Sequence, residues 1–373
     1  MAILEETVPR VVSVLSTCLA AIWIAGAPAA QAQSFSRLHW LLDLLFGRSA
    51  EDPAVALERR GGSRLLFALD TDSLRKSMLT ELQDNARRLL REARIGFMDL
   101  AVRGESVEVR IREGNDLQQA LIKLDETPFD SSHDNTIVVQ DVGERLVRLT
   151  LTEHAVDVRS RAALQRSIEI VERRLAERNI DAGGVRQDGD DRILVLLPGI
   201  KDPTPMARLL SSRAKLTFRM VDESVSPEQA LKGQLPPTDE IIYGTEKEGK
   251  RPYVIEKRVL VDGEDIVDVH PAYDQQRTDQ PIVTFKFNAR GTTRFANATT
   301  ENVGRPFAIV FDNEVISAPV IQTPILGGSG QISSTFTVEE AMNLAIQLQS
   351  GSLPVQLNLI EQRIVEAKSP TGQ

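Results

Sequence analysis

From Gly61 onward two hydrophobic periods alternate along this chain, and their order restricts the fold more than any other feature. Leu65 to Leu69 is an apolar run of strand length, and Leu74, Met78, Leu82, Leu89 and Leu90 then recur at three- and four-residue steps, an amphipathic helix ending near Arg94. Met98 to Val102 and Val107 to Ile111, joined at Gly104-Glu105, predict a hairpin. A short helix carrying Leu117, Leu121 and Leu124 follows, with Asn115 as its expected cap, and then strands at Thr136 to Val139 and Leu146 to Leu151. The same order returns. Ala162 to Arg178 reads as a helix, Val185 and Ile193 to Leu197 flank an Asp188-Gly189 turn, Pro205 to Ser211 is a short helix, and Lys215 to Val221 is a strand. Two similar helix-hairpin-helix-strand units predict an internally duplicated α+β base of split βαβ, ferredoxin-like type.

Between Val221 and Pro281 the sequence turns polar and proline-containing, with surface loops at Pro236-Pro237 and Gly244 to Gly249; loops of this length are usually functional or mobile. A second α+β region begins at the strict alternation Ile282 to Phe287. It continues through a helix containing Phe295, the strand Ala308 to Phe311, and a helix from Val338 to Gln349 opened by a Thr337/Glu340 capping box and stopped by Gly351. Val355, Leu357 and Leu359 then alternate in a strand whose length suits a return to the first sheet. The expected division is a base over 56–221, an inserted head over 222–350, a returning base strand over 351–366 and a tail over 367–373.

Val11 to Gly26 is apolar and small, followed by Ala30-Gln31-Ala32, which reads as a secretory signal over residues 1–32, an uncleaved anchor being the alternative. At about 16 residues the run falls short of the roughly 20 that cross about 30 Å of hydrocarbon. Residues 33–55 form a linker with a short apolar segment around Trp40, which either packs on the protein or rests on lipid. With the lone Cys18 removed by cleavage, no internal disulfide is expected. The formal charge of -9 argues against a nucleic-acid partner, because phosphate binding needs a cationic surface.

The sequence carries no recognisable catalytic pattern. His39, His133, His154 and His270 have no metal-ligand spacing, and no metal or cofactor is expected. Gly327-Gly328-Ser329-Gly330 lacks the Lys-Ser/Thr of a phosphate loop and reads as a hairpin tip. The cluster Asp188-Asp190-Asp191 misses calcium-loop spacing and reads as a solvated turn.

Several motifs nevertheless stand in a recognisable order. Gly61-Gly62-Ser63-Arg64-Leu65-Leu66, Ile170 to Leu175, Asp191 to Ile200, Phe218-Arg219 and nearly all of Pro281 to Pro354 resemble the first periplasmic domain of SecD, a protein-translocase subunit. Ala56 to Arg59 departs from the family's Gly-Leu-Asp-Leu, and Arg363 to Pro370 from the Val-Gly-Pro-x-Leu-Gly segment that leads into the family's membrane helices. With no membrane-embedded carboxylate in this sequence, proton-driven work by the chain alone is not expected. The resemblance implies a non-enzymatic, exported, periplasmic chain touching membrane only through its N-terminus or its partners. The implied partners are unfolded secreted polypeptides and SecF/SecYEG-like translocase subunits. Phe295, Phe307, Ile316, Val320, Ile321, Ile325 and Leu326 are either head core or, as the resemblance implies, a cleft for extended polypeptide. Val221, Asp222, Ser350 and Gly351 are the expected hinge. The competing reading is an adaptor or porter-like module of an RND-type export assembly.

Overall fold

The computed structural model describes residues 52–126, 136–180, 184–274 and 280–368. The expected signal, Cys18, His39, the segment around Trp40, His133 and the end of the tail lie outside them. Asp52 caps α1 (Pro53–Arg60), accepting from the Ala54 amide at 2.8 Å. The chain then turns into β1 (Gly62–Leu69). Gly62 has φ 144°, and a Cβ there would lie 2.3 Å from the Leu197 carbonyl oxygen, so glycine alone allows this approach of two strands. There follow α2 (Thr71–Glu92), β2 (Phe97–Arg103), β3 (Ser106–Ile111), α3 (Leu117–Asp125), β4 (Ile137–Gly143), β5 (Leu146–Leu151), α4 (Glu153–Glu177), β6 (Val185–Asp188), β7 (Arg192–Pro198) and α5 (Thr204–Ser211). Asn115 makes no cap; it lies in a 3-10 turn ahead of α3. α4 begins nine residues before the expected Ala162, because Thr152 caps it and Ala155 and Val156 already bury.

These elements build two antiparallel sheets. One has the order β2-β3-β5-β4, and Val107, Val109 and Ile111 alternate inward on β3 as Val147, Leu149 and Leu151 do on β5. The other pairs β1 with β7 on one side and with β16 (Leu357–Val365) on the other, in the order β16-β1-β7-β6. Among the described residues the last strand thus returns to the first. Leu65, Phe67, Val195 and Leu197 meet Leu82 and Leu90 of α2 and Ile170 and Val171 of α4 in one continuous core.

The second region comprises β8 (Leu216–Val221), β9 (Asp239–Gly244), β10 (Pro252–Asp262), β11 (Ile266–Asp274), β12 (Gln280–Phe287), α6 (Ala289–Glu301), β13 (Phe307–Phe311), β14 (Glu314–Ser317), β15 (Ser329–Ser333) and α7 (Val338–Ser350). β10, β8, β13, β14 and β9 close into a small barrel, while β11, β12 and β15 form a separate sheet. Leu216 to Met220 are buried on both faces. Phe218 packs with Phe285, Phe287, Phe295 and Phe307 at ring separations of 5.5, 5.5, 5.6 and 6.3 Å. Inside the barrel Ile242, Ile255, Ala308, Val310 and Val315 form a second, smaller core.

The two expected units therefore do not close alike. The order of elements makes β8 the expected closing strand of the second unit, but a strand buried on both faces needs cover on both, and it lies in the barrel between β10 and β13. The capping box of α7 stands as expected: Glu340 N lies 3.2 Å from Thr337 Oγ1, and Thr337 N 2.7 Å from Glu340 Oε2. The glycines at 327–330 are no hairpin tip. They bring the chain into β15 beside β12, with Gly330 against the Phe285 ring and Gly328 against Thr292.

Candidate functional site

At one end of the barrel the strands run out and leave a groove of about 700 Å³. Its walls come from Val221 to Glu223, Val225 to Pro227, Arg251 to Val254, Pro306 and Ala318. Val221 N donates to Pro306 O at 3.2 Å and Asp222 N to Val254 O at 2.9 Å, the last rungs before the chain peels away from β8. A capping box between Ser226 and Gln229 fixes the turn at Pro227. Val221, Tyr253 and Ala318 pack their inner sides on the barrel core. The Arg251 guanidinium carbon lies 5.8 Å from the centre of the Tyr253 ring, within cation-π reach. The adjacent arm is tied down by backbone bonds, Phe307 N to Pro319 O at 3.0 Å, Ile321 N to Arg305 O at 3.0 Å and Gly304 N to Ile321 O at 2.8 Å, and by Ile325 N donating to Thr299 Oγ1 at 2.9 Å. Val320, bridged to Pro306, keeps 45 % of its surface exposed.

Two carboxyl groups interact at this groove, Asp222 in its wall and Asp239 beside it. The Asp222 carboxylate accepts from Ser224 Oγ at 2.9 Å and Ser224 N at 2.8 Å, bonds that hold it below its ordinary range. Asp239, at the start of β9, is buried, and desolvation together with its hydrogen bond to Asp222 pushes it up. Near the pair, Arg305 bonds Glu256 at 3.1 Å. Among the described residues no cluster of His, Cys, Asp and Glu is arranged to hold a metal. His154 and His270 are exposed, the latter 2.8 Å from Asp268.

The residues singled out in the sequence divide sharply. Phe295, Phe307, Ile316 and Ile321 are buried in the aromatic core, and Ile325 packs against it, so none of these five walls an open cleft. Val320 and Leu326 are exposed, Leu326 at 67 %. Tyr253, Pro252, Val225 and Pro227, which do line the groove, carry no recognisable motif; the proline-containing polar stretch was their only signal.

The expected hinge residues divide as well. Val221 and Asp222 lie in the groove, within the second region. The outgoing crossing is earlier, at residues 212–215, and the return is at Ser350-Gly351. Both are clamped by Arg174 of α4, which is fully buried. Its Nε donates to Ser350 Oγ at 3.2 Å, its Nη1 to the carbonyls of Leu209, Leu210 and Ser212 at 3.0, 3.0 and 2.7 Å, and its Nη2 to Gly351 O at 3.3 Å. Burial pulls its pKa down to about 10, which leaves it charged at neutral pH. From the other region, the Asp312 carboxylate accepts from Ser212 Oγ at 2.6 Å and Lys215 N at 2.9 Å. Asp312 and Asn313 both have positive φ, 46° and 68°, the tight turn that aims this carboxylate.

Comparison with known proteins converges on one family. Residues 239–355 match the model described as the SecDF P1 head subdomain, and residues 164–223 match that of the N-terminal P1 domain of protein translocase subunit SecDF. The chain is 34% identical over 358 residues to the protein translocase subunit SecD of Acetobacter pasteurianus, a match covering 95% of this chain and 65% of that relative. It is 33% identical over 315 residues to SecD of Rickettsia felis, covering 83% and 58% respectively. The chain thus spans less than two thirds of the length of these curated relatives. A solved structure of SecDF, described as a membrane component that enhances protein export, is 29% identical with a TM-score of 0.43, covering 54% of this chain and 92% of that one.

Proposed function

Since this chain belongs to the SecD family through its P1 domain, we propose that it serves protein translocation as a non-enzymatic binding domain whose barrel groove holds extended, unfolded polypeptide. The observation that carries this reading is the groove itself: an open channel in which Val221, Val225, Tyr253 and Ala318 present apolar surface beside Pro227, Pro252 and Pro306. Prolines have fixed φ and no amide donor, so they shape the wall at small entropic cost and demand no hydrogen bond from the occupant. Apolar contact with little directional chemistry suits a binder that accepts many sequences.

In this reading residues 52–211 with the returning strand are the base, and 216–350 the head. The order β16-β1-β7-β6, with α4 leading into β6 and α5 following β7, supports a ferredoxin-like base in which the β2-β3-β5-β4 sheet is an addition. The place of action is the periplasmic face of the membrane, with SecF- and SecYEG-like subunits as partners. Among the described residues no helix is long and apolar enough to cross a membrane.

The test is a photoreactive side chain at Val320, beside the groove, and another at Val138 on β4 as control. Both positions are exposed. A reduced, alkylated secretory polypeptide should crosslink from Val320 and not from Val138. Equal yields from both positions, or none from Val320, would remove the groove as the binding site.

A further inference from the structure

Where the chain crosses between its two regions a second cleft opens, of about 610 Å³, and its chemistry is different. Four cations line it: Arg166 and Arg173, two turns apart on α4, and Arg213 and Lys215, alternate residues of the outgoing crossing. We infer that this cleft is a binding site for a phosphate-type oxyanion, held between Arg173 and the pair Arg213 and Lys215.

The four cations are not equally engaged. Arg166 and Arg173 share Glu169, at 3.0 and 3.8 Å. Arg173 also spends one Nη1 bond on the Ser350 carbonyl, at 3.2 Å. Neither Arg213 nor Lys215 has a carboxylate within ion-pair distance among the described residues, and the buried Nε of Arg213 has no acceptor. Asp70 acts on Arg213 from a distance, but its two oxygens are taken by Ser73 N at 3.0 Å and Ser73 Oγ at 2.7 Å. A guanidinium fork matches the paired oxygens of a phosphate, and a concave wall of one sign focuses the field on its contents.

The opposite wall sets the size of ligand. Asp262 and Glu264, at the corner between β10 and β11, face the same space, and Asp262 spends Oδ1 on Glu264 N at 3.0 Å. Their charge favours one small oxyanion over a long polyanion. Arg213 and Lys215 also line a neighbouring cavity of about 400 Å³ with Glu240 and Asp312, so the crossing forms the partition between the two. This site is independent of the polypeptide groove, and its failure would leave that reading untouched.

Calorimetric titration of the purified chain with inorganic phosphate, with acetate as the comparison anion, tests it directly. Saturable phosphate binding is expected, weakened about tenfold in Arg213→Ala and several-fold in Lys215→Ala, and tightened in Glu264→Gln. Lys215 is exposed, so its variant reports even if Arg213→Ala fails to fold. No saturation, equal affinity for acetate, or unchanged binding in Lys215→Ala would overturn the site. Sedimentation with phosphatidylglycerol and phosphatidylcholine vesicles identifies the source. Retention on the anionic vesicles that is lost in Lys215→Ala assigns a lipid headgroup, and phosphate binding without vesicle binding assigns the free anion.

Discussion

The Nη1 of Arg174 lies 2.7 Å from the carbonyl oxygen of Ser212, so a buried charge in the base holds the first residue of the crossing into the head. The same guanidinium serves Leu209, Leu210 and Gly351, and each of those carbonyls is a buried or half-buried acceptor. Arg174→Met should leave the Leu210, Ser212 and Gly351 carbonyls without this donor, Leu209 O keeping only its 3.5 Å contact with Gln347 Nε2, and cost about 3 kcal/mol or more. The expected readout is a lower urea midpoint at unchanged slope. Arg174→Lys, with a point charge in place of the planar fork, should recover only part of the loss. A midpoint equal to that of the unaltered chain would mean the clamp contributes nothing.

Gly351 sets the geometry of the return. Its φ of 91° and ψ of 167° lie where only glycine is comfortable, yet a Cβ there would meet no atom within 4 Å. The penalty of Gly351→Ala is therefore backbone strain alone, about 1–3 kcal/mol. Gly351→Pro would force φ to about −65° and should unfold the crossing instead of merely stiffening it. Thermal unfolding of both variants checks the ranking, which fails if proline is tolerated as well as alanine.

Much of the frame was legible because local signals and tertiary structure agree. The alternation of Ile282 to Phe287, the capping box at Thr337 and Glu340, and the returning alternation at Leu357 all became the elements they suggested. Lys215 to Val221 misled because a strand's own residues do not say which sheet covers its two faces. The site was less legible still. On the arm, Ile321 is buried while its neighbour Val320 is exposed, a division set by the backbone bonds to Arg305 and Phe307 and invisible in two adjacent β-branched residues. The groove draws on residues from 221 to 318, brought together only by closure of the barrel.

Tyr253 brings the one aromatic ring among the residues lining that groove, with the Arg251 guanidinium over it at 5.8 Å. Tyr253→Ala should weaken binding of an unfolded, fluorescently labelled polypeptide by about 1–2 kcal/mol, and Arg251→Ala by about 0.5–1 kcal/mol, measured by anisotropy. Because Tyr253 also touches the barrel core, the comparison needs a variant that loosens the barrel from inside. Val315→Ala serves, being buried away from the groove. Equal loss of binding in Val315→Ala and Tyr253→Ala would assign the effect to stability and not to contact.

The Asp222 and Asp239 pair predicts an unusual pH response. Asp239 is pushed above its ordinary value of 3.8 by burial and by Asp222, so the folded chain keeps this proton to higher pH than the unfolded chain does. Through that window the native state binds more protons, and stability attributable to Asp239 falls as pH rises. Asp222 behaves oppositely. Its carboxylate is held low by Ser224, so its contribution is present above 3.8 and is lost as pH falls through its depressed folded value. Glu256 adds to the upward push on Asp239, while Arg305 favours the ionised Asp222. Asp239→Asn supplies an uncharged donor to Asp222 at every pH. It should therefore be more stable than the unaltered chain at neutral pH, with the advantage shrinking on acidification as Asp239 gains its own proton. Urea midpoints across the acidic range measure this, and a constant difference at all pH values would show that the pair does not share a proton.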